Sequence, residues 1–285
     1  MSGPIEDGKN ETVGRIVAGA ANNPDIKEAG RILGKSALTV AKTIEVCLLP
    51  LAALNFGVQK AREYFANEFA EDLNAKTASI PLEDIVEPKA SVAGPALQGL
   101  AFTHEEPDLK EMFLTLLATA MDRKVASEAH PAFVEIIKQM SSQEAEILKS
   151  ALQAATDIPI AEIRISFSDE RFQTIYRHLI QIANTATGKL TVIAQMPTFI
   201  DNWTRLGIVW TDYDSRMAAS DAYKWVEDRP EFRNLKQKHE RDNNRVVAVH
   251  GRLVRTSFGL QFAKAVGLTV NRQPPVAMRP KNVQS

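Results

Sequence analysis

The sequence predicts a mainly α-helical protein: an N-terminal helical bundle, followed by a winged-helix-like α+β part with a small wing hairpin and a helical insert. Two observations predict this fold. Apolar residues recur at helical spacing over most of the first half of the chain, and the apolar period changes after Asp157. The 285 residues are 45% hydrophobic and 24% charged. This composition is typical of globular proteins and excludes collagen-like and wholly disordered classes.

The same pattern divides the chain into four regions. Residues 1–23 and 271–285 contain few large apolar side chains, and both are predicted to be disordered because they cannot offset the entropy of ordering. Residues 24–140 form a predicted all-helical region. Residues 141–270 form the predicted winged-helix-like region.

The all-helical region contains several amphipathic segments. An apolar stripe covers residues 32–48, and a second amphipathic helix is predicted at 56–73. Pro50 is expected to kink or restart the chain between them, because proline lacks an N–H and clashes with the preceding turn. Further buried helix faces are predicted at 109–120 and at 133–140.

The winged-helix-like region begins with Ser141 and Glu144, which have the spacing of a capping box. In chain order the expected elements are a helix at 141–152, a strand at 158–167, helices at 172–186 and 198–206, strands at 208–210 and 246–254, and a helix capped by Thr256. Gly207 is expected to end the helix before it. The insert 215–244 between the two wing strands is predicted to be helical.

Basic residues concentrate near the end of the chain, although the whole chain has a formal net charge of −1. Residues 215–285 contain 14 Lys and Arg residues and 6 Asp and Glu residues. The densest stretch gives a candidate polyanion-binding set: Arg233, Lys236, Lys238, Arg241, Arg245, Arg252 and Arg255. One interpretation is a surface for nucleic acid or for an anionic membrane face. The other is a solvated surface that pairs with acidic parts of the protein or of a second copy. The helix at 198–206 favours the second, because it offers only Arg205 as a cation and Asp201 opposes it.

No residue pattern predicts catalysis, a metal site or a cofactor. His104 lies among carboxylates, but the second histidine of a zincin helix is missing. His130 with Glu128 resembles a base and its partner, yet a histidine at this position more often caps the following helix. The single cysteine, Cys47, excludes an internal disulfide and a cysteine-based zinc site, and it fits a reducing compartment. The sequence therefore predicts a protein that is not an enzyme.

Residues 37–58 raise the question of a membrane. They are long and largely apolar, but Lys42, Glu45 and Asn55 interrupt them. A buried core helix and an amphipathic membrane-active helix both remain open. Residues 1–12 are polar and lack the basic and apolar segments of a secretory signal, so a cytoplasmic location is expected.

Short motifs follow one another in order between residues 45 and 268. They are Leu-Leu-Pro-Leu at 48–51, Asn-Phe-Gly at 55–57, Ile-Val-Glu-Pro at 85–88, Ala-Gly-Pro-Ala-Leu at 93–97, Ala-Met-Asp at 120–122, Ala-His-Pro-Ala-Phe-Val at 129–134, Asn-Trp-Thr-Arg-Leu-Gly-Ile at 202–208 and Thr-Ser-Phe-Gly-Leu-Gln-Phe at 256–262. Their order and spacing resemble the bacterial abortive infection alpha (Abi-alpha) family. The resemblance implies phage defence by arrest or death of the infected cell, and it brings no catalytic residues to carry over.

The residues of these motifs are expected to be structural. The set is Pro50, Gly94, Pro95, Asp122, His130, Pro131, Leu206, Gly207, Thr256, Gly259 and Phe262. Gly94 and Pro95 are expected to break and restart a helix. The sequence and the resemblance together predict a cytoplasmic phage-defence protein that needs no cofactor and acts by binding a protein partner, binding a second copy of itself or sensing a phage product. The alternatives are nucleic-acid binding by residues 233–255 and action on a membrane surface by residues 37–58.

Overall fold

The computed structural model of this protein describes residues 55–183, 190–191, 193–240 and 244–268. The predictions for Pro50, for Arg241, for residues 1–54 and for the tail 271–285 lie outside the described residues. Contacts divide the chain into two compact units. Of the described residues, 55–149 and 261–268 form the helical unit, and those between 150 and 260 form the sheet unit.

The helical unit is built from consecutive α-helices. In chain order they are α1 (Asn55–Asn67), α2 (Phe69–Thr77), α3 (Ala90–Thr103), α4 (Pro107–Met121), α5 (Pro131–Lys138) and α6 (Ser142–Gln153), of which α6 ends in the sheet unit. The long amphipathic helix predicted at 56–73 is divided at Glu68 into α1 and α2. Helices α3 and α4 approach closely, because a Cβ on Gly99 would lie 2.4 Å from Cζ of Phe113.

Local capping explains where two of these helices begin. The capping box is confirmed: the Glu144 backbone N–H donates to Ser141 Oγ (3.2 Å), and the Ser141 N–H donates to Glu144 Oε2 (3.4 Å). Pro131 occupies the first turn of α5, where its missing N–H has no helical partner to lose. The expectation that Gly94 and Pro95 break a helix is wrong, since α3 runs through both. Pro95 is the sixth residue of α3, so the helix forgoes one backbone hydrogen bond there, and the buried side chains that follow hold the helix together.

The sheet unit contains a four-stranded antiparallel sheet with strand order β2-β1-β6-β5. Its elements in chain order are β1 (Ile158–Ser166), β2 (Phe172–Ile180), β3 (Ile182–Ala183), β4 (Leu190–Thr191), α7 (Met196–Arg205), β5 (Val209–Asp212), α8 (Lys224–Asp228), α9 (Pro230–His239), β6 (Arg245–Arg255) and α10 (Ser257–Ala265). Strands β3 and β4 form a separate two-stranded sheet, and α10 ends in the helical unit. The strands predicted at 158–167, 208–210 and 246–254 are confirmed, and helices α8 and α9 lie within the predicted helical insert.

The helix predicted at 172–186 is wrong, because Phe172–Ile180 forms the edge strand β2. Phe172, Ile175 and Leu179 are spaced by three and four residues, which is typical of a helix. In the structure these residues do not share a face: Phe172 is exposed, whereas Ile175 and Leu179 pack in the cluster that contains Ile163 and Ile165. The β1–β2 register also has two irregularities, in each of which β2 carries one extra residue. An extra residue in one strand breaks the alternation of side chains between the two faces.

The two strands expected to form the wing, β5 and β6, do pair with each other, and β6 also pairs with β1. The chain is therefore mainly helical with an α+β part, as predicted. Ala161, Ile163 and Ile165 lie on one face of the sheet. There they pack in hydrophobic clusters with α8 and α9, whose buried members include Val226 and Phe232.

Candidate functional site

The candidate polyanion-binding residues do not form one surface. Arg233, Lys236 and Lys238 are exposed on α9, and Arg245 is exposed at the start of β6. Arg233 Nη2 lies 2.7 Å from Asp228 Oδ1, and Lys236 Nζ lies 3.9 Å from Glu240 Oε1. Arg233 and Lys236 are therefore partly neutralised by acidic neighbours from the same insert.

Arg252 and Arg255 use their guanidinium groups inside the sheet unit. The Arg252 side chain is 14% exposed, and it donates from Nε to Asp212 Oδ2 and from Nη1 to Asp157 Oδ2, each at 2.9 Å. Arg255 donates to the carbonyl oxygens of Leu152 and Ala154 at the end of α6. Two members of the basic stretch, Arg252 and Arg255, are thus used in contacts within the sheet unit. The exposed members are dispersed over α9 and the start of β6.

Several family-motif residues fix the junction between α7, β5 and α10. Gly207 follows α7 with φ +73°, a conformation that favours glycine. Thr256 Oγ1 accepts from the Gly259 N–H at 2.8 Å and donates to the Gly207 carbonyl at 2.6 Å. Leu206 is half-buried in the turn after α7, where its N–H donates to the Asn202 carbonyl at 2.8 Å.

The remaining motif residues lie in the helical unit. His130 caps α5, because its Nδ1 accepts from the Ala132 N–H at 3.1 Å. Asp122 follows α4, and its Oδ1 accepts from the Lys124 N–H at 2.9 Å. The fully buried Phe262 packs edge-on against Phe133 with ring centroids 5.6 Å apart. The Glu128 carboxylate forms an ion pair with Lys264.

A buried histidine that no sequence motif marks lies on β2. His178 is 2% exposed, and its Nε2 lies 3.1 Å from Asp201 Oδ1 on α7. Its Nδ1 lies 3.0 Å from the Tyr213 hydroxyl, which follows β5. The His178 backbone has φ +51°, and β2 carries one extra residue there. This β-bulge turns the ring out of the strand alternation and toward α7.

Glu162 on β1 lies opposite the same bulge. It is 5% exposed, and Arg164 donates from Nε (2.9 Å) and Nη2 (2.6 Å) to its Oε2. Arg177 Nε lies 3.5 Å from Oε1. One buried carboxylate therefore pairs with two arginines, Arg164 on β1 and Arg177 on the edge strand β2, as a buried charge requires.

The electrostatics of this cluster favour a neutral imidazole. Burial lowers the pKa of His178 below its usual value, and the Asp201 carboxylate opposes that effect. Burial raises the pKa of Tyr213 well above its usual range, so the phenol stays protonated. Because a carboxylate can only accept, His178 carries its proton on Nε2 and accepts from Tyr213 at Nδ1. With both nitrogens engaged, His178 positions β2 against α7, and it is not a base poised for a substrate.

This cluster predicts a pH dependence for the sheet unit. A histidine whose folded pKa is lowered adds stability above its unfolded pKa of about 6.5, and that stability is lost as the pH falls toward the folded pKa. We expect the urea midpoint of the sheet unit to fall between about pH 7.5 and about pH 5.5, and to fall less in His178→Asn, since asparagine does not titrate and tolerates positive φ. Tryptophan fluorescence is the readout, because all three tryptophans (Trp203, Trp210, Trp225) lie in the sheet unit.

The charged side chains of Asp201, Glu162 and Arg177 lie near His178, and His250 lies on the other face of the same sheet. Burial, followed by the charge of Arg216, lowers the pKa of His250 as well, so His250→Gln is the matched variant. Parallel pH profiles for wild type and His178→Asn would contradict a neutral buried His178.

A pocket of about 680 Å³ lies on the other face of the sheet, beside α8. The His250 ring stacks on the Tyr223 ring with centroids 4.1 Å apart and planes 8° apart. The charged residues that line the pocket include both signs: Arg216, Lys224, Glu227 and Asp228. The mixed charge selects neither an anionic nor a cationic ligand.

The face of the sheet that carries His178, opposite to the pocket, exposes aromatic and basic side chains to solvent. Phe172 is 60% exposed and Val247 is 40% exposed. The Arg164 guanidinium lies over the Phe172 ring, with Cζ 4.6 Å from the centroid. We call Arg164, Phe172, Arg177, Arg245 and Val247 the open sheet face. The sequence does not indicate this face, because its apolar spacing predicts a helix for the segment that contains Phe172 and Arg177.

The part of the chain that the structure describes contains no cluster of three or more His, Cys, Asp or Glu side chains arranged to hold a metal ion. Within the same residues, no helix is both long enough and apolar enough to cross a membrane. The fold and its polar clusters define a mainly helical protein of two compact units, one of which carries a four-stranded antiparallel sheet.

The chain belongs to the abortive infection alpha family, whose model matches residues 61–266. The resemblance in the sequence is therefore confirmed, and membership associates the protein with phage defence at the level of the family. No curated protein and no solved structure gives a significant match.

Proposed function

We propose that the protein is a cytoplasmic phage-defence component that acts by binding a partner or a phage product, without catalysing a reaction. The observation that carries this proposal is the environment of His178, because both of its ring nitrogens form hydrogen bonds, one with Tyr213 and one with Asp201. His130 likewise supports a helix start. The two histidines that come closest to an acid–base role, His130 and His178, therefore support the fold. This favours a protein that binds a partner over a protein that catalyses a reaction.

The proposal retains the winged-helix-like interpretation of residues 141–270. It is supported by the pairing of β5 with β6 and by α7, which immediately precedes β5. Membership of the abortive infection alpha family supports the defence role.

The proposal is tested by phage plating and infected-cell survival on lawns that express the full chain. We expect the full chain to lower plating efficiency for at least one phage of a broad panel, with loss of infected cells. Point variants are better than a truncation at residue 141, because the truncation would remove Phe262 from its contact with Phe133 in the helical unit.

A variant of His130 tests whether this histidine has a chemical role. His130→Ala removes a helix cap, at a cost of about 1 kcal/mol, and is expected to keep protection. If His130→Ala kept its thermal stability but lost protection, the interpretation of His130 as a structural residue would be wrong. A folded wild-type chain that protects against no phage in the panel would contradict the defence role.

A further inference from the structure

The register of the sheet arranges most side chains of the open sheet face, together with Ser166 and Thr174, in two adjacent rows. One row contains Phe172, Ser166 and Arg245, and the next contains Thr174, Arg164 and Val247. Corresponding members of the two rows are two residues apart on each strand, so all six side chains lie on one face. Ile163 and Ile165 lie on the other face, which packs with α8 and α9.

One end of this face is covered and the other is open. At the covered end the Tyr213 ring lies directly on Gly251, where a Cβ would come within 2.5 Å of Tyr213 Cδ1. Tyr213 and Asp201 both contact His178 there. At the open end, Phe172, Val247 and Arg245 remain exposed. The covered end supports the sheet while the open end meets solvent.

The open end combines an aromatic ring with an excess of positive charge. Three guanidinium groups (Arg164, Arg177, Arg245) accompany one carboxylate, Glu162, which is 5% exposed and is already paired with Arg164 and Arg177. The β1–β2 turn adds Glu170, and its Asp169 pairs with Arg171 at 2.7 Å. With Arg171 included, four arginines and three carboxylates leave an excess of one positive charge around Phe172.

We infer that the open sheet face binds single-stranded nucleic acid, with a base stacked on Phe172 and the phosphates held by Arg164, Arg177 and Arg245. This inference rests on the proposed function and names the partner that the protein binds. An exposed aromatic ring beside arginines matches the stacking platform and charged groove of proteins that bind single strands. A duplex does not offer base faces to such a ring. A protein partner fits less well, because Phe172 and Val247 expose far less apolar surface than the core of a stable protein interface requires.

The test is fluorescence anisotropy with the full chain and labelled oligo(dT), oligo(rU) and a duplex of mixed sequence. We expect both single strands to bind more tightly than the duplex. If three phosphates are neutralised, affinity for a single strand should fall roughly twentyfold between about 50 mM and about 200 mM salt. Phe172→Leu should weaken binding about tenfold, which is within the range of one lost base–aromatic stack.

Two matched variants locate the surface. Phe102 in the helical unit is 58% exposed, so Phe102→Leu removes a comparable ring elsewhere and should leave binding unchanged. Arg164→Ala should weaken binding, and Arg233→Ala on α9 should not. Tryptophan fluorescence during urea unfolding confirms that each sheet-unit variant is folded.

The inference is overturned if wild type binds no single strand, if Phe172→Leu binds like wild type, or if Arg233→Ala loses as much affinity as Arg164→Ala. It is also overturned if Phe172→Leu changes only the mass of the protein in sedimentation, since the face would then join two copies of the chain. Phage plating separates this failure from a failure of the proposed function, because protection by a chain that binds no oligonucleotide would leave the defence role intact.

Discussion

Gly259→Ala is expected to unfold the sheet unit under conditions in which the wild-type unit is folded. A Cβ at Gly259 would lie 2.0 Å from the Ile208 carbonyl oxygen and 2.8 Å from its carbonyl carbon. Both are backbone atoms, so no side-chain rotation relieves the clash. Helix α10 would have to move away from Ile208, although the Thr256 N–H donates to the same carbonyl at 3.1 Å. We expect a loss of about 3 kcal/mol or more, a large part of the stability of a typical domain.

Urea unfolding followed by tryptophan fluorescence measures this loss in the sheet unit alone. Gly207→Ala is the matched control, because Gly207 has φ +73° but its Cβ would meet nothing closer than 3.8 Å. That variant should cost about 1–2 kcal/mol, the price of a left-handed backbone with a side chain. Ser257→Ala on the exposed side of the same helix should change stability by about 0.5 kcal/mol or less. If Gly259→Ala were no less stable than Gly207→Ala, the close approach of α10 to Ile208 would be wrong.

The helices were predictable because each is decided by neighbours within one or two turns. The buried face of α4 follows from apolar residues at helical spacing, and the start of α6 follows from Ser141 and Glu144 three residues apart. Thr256 and Gly207 were identified as helix boundaries for the same local reason. These predictions needed no knowledge of distant contacts.

Strand β2 and the two sites beside it could not be predicted in this way. Phe172, Ile175 and Leu179 have a helical spacing although Phe172 lies on the opposite face of the sheet from Ile175 and Leu179, so the local pattern itself indicated the wrong element. His178 contacts residues 23 and 35 positions away in the chain, and only the fold brings Asp201 and Tyr213 to it. The open sheet face depends on the same misassigned strand.

The basic stretch shows the converse error, in which neighbours in sequence are separated by the fold. Arg245 and Arg252 lie on one strand, but Arg252 comes seven positions after Arg245, and this odd spacing points the two side chains to opposite faces. Arg245 is exposed, whereas Arg252 lies between Asp157 and Asp212. Charge counted along a sequence therefore overstates the charge that one surface presents.

Asp212→Ala is expected to be nearly as damaging as Gly259→Ala, because Asp212 organises the end of β5. Its Oδ1 accepts from the N–H groups of Asp214 (3.0 Å) and Ser215 (3.1 Å). Its Oδ2 accepts from Arg252 Nε at 2.9 Å and from the Ser215 hydroxyl. Removal leaves the largely buried Arg252 guanidinium with Asp157 as its remaining carboxylate. Breaking a buried ion pair on one side typically costs about 3–5 kcal/mol, and we expect a loss of that order in the urea unfolding of the sheet unit.

The pH dependence of this loss distinguishes lost charge from lost packing. Burial alone would raise the pKa of Asp212, but hydrogen bonds from Ser215 and Arg252 outweigh it and hold the pKa below its usual value. A lowered folded pKa stabilises the protein above the unfolded pKa of about 3.9, and this stability is lost as the pH falls through the folded pKa. Asp212→Asn keeps the side-chain size and one acceptor oxygen but not the charge. The stability gap between wild type and Asp212→Asn should therefore narrow as the pH falls from about 5 to about 3. A gap that stayed constant over this range would mean that Asp212 acts through its shape and not through its charge on Arg252.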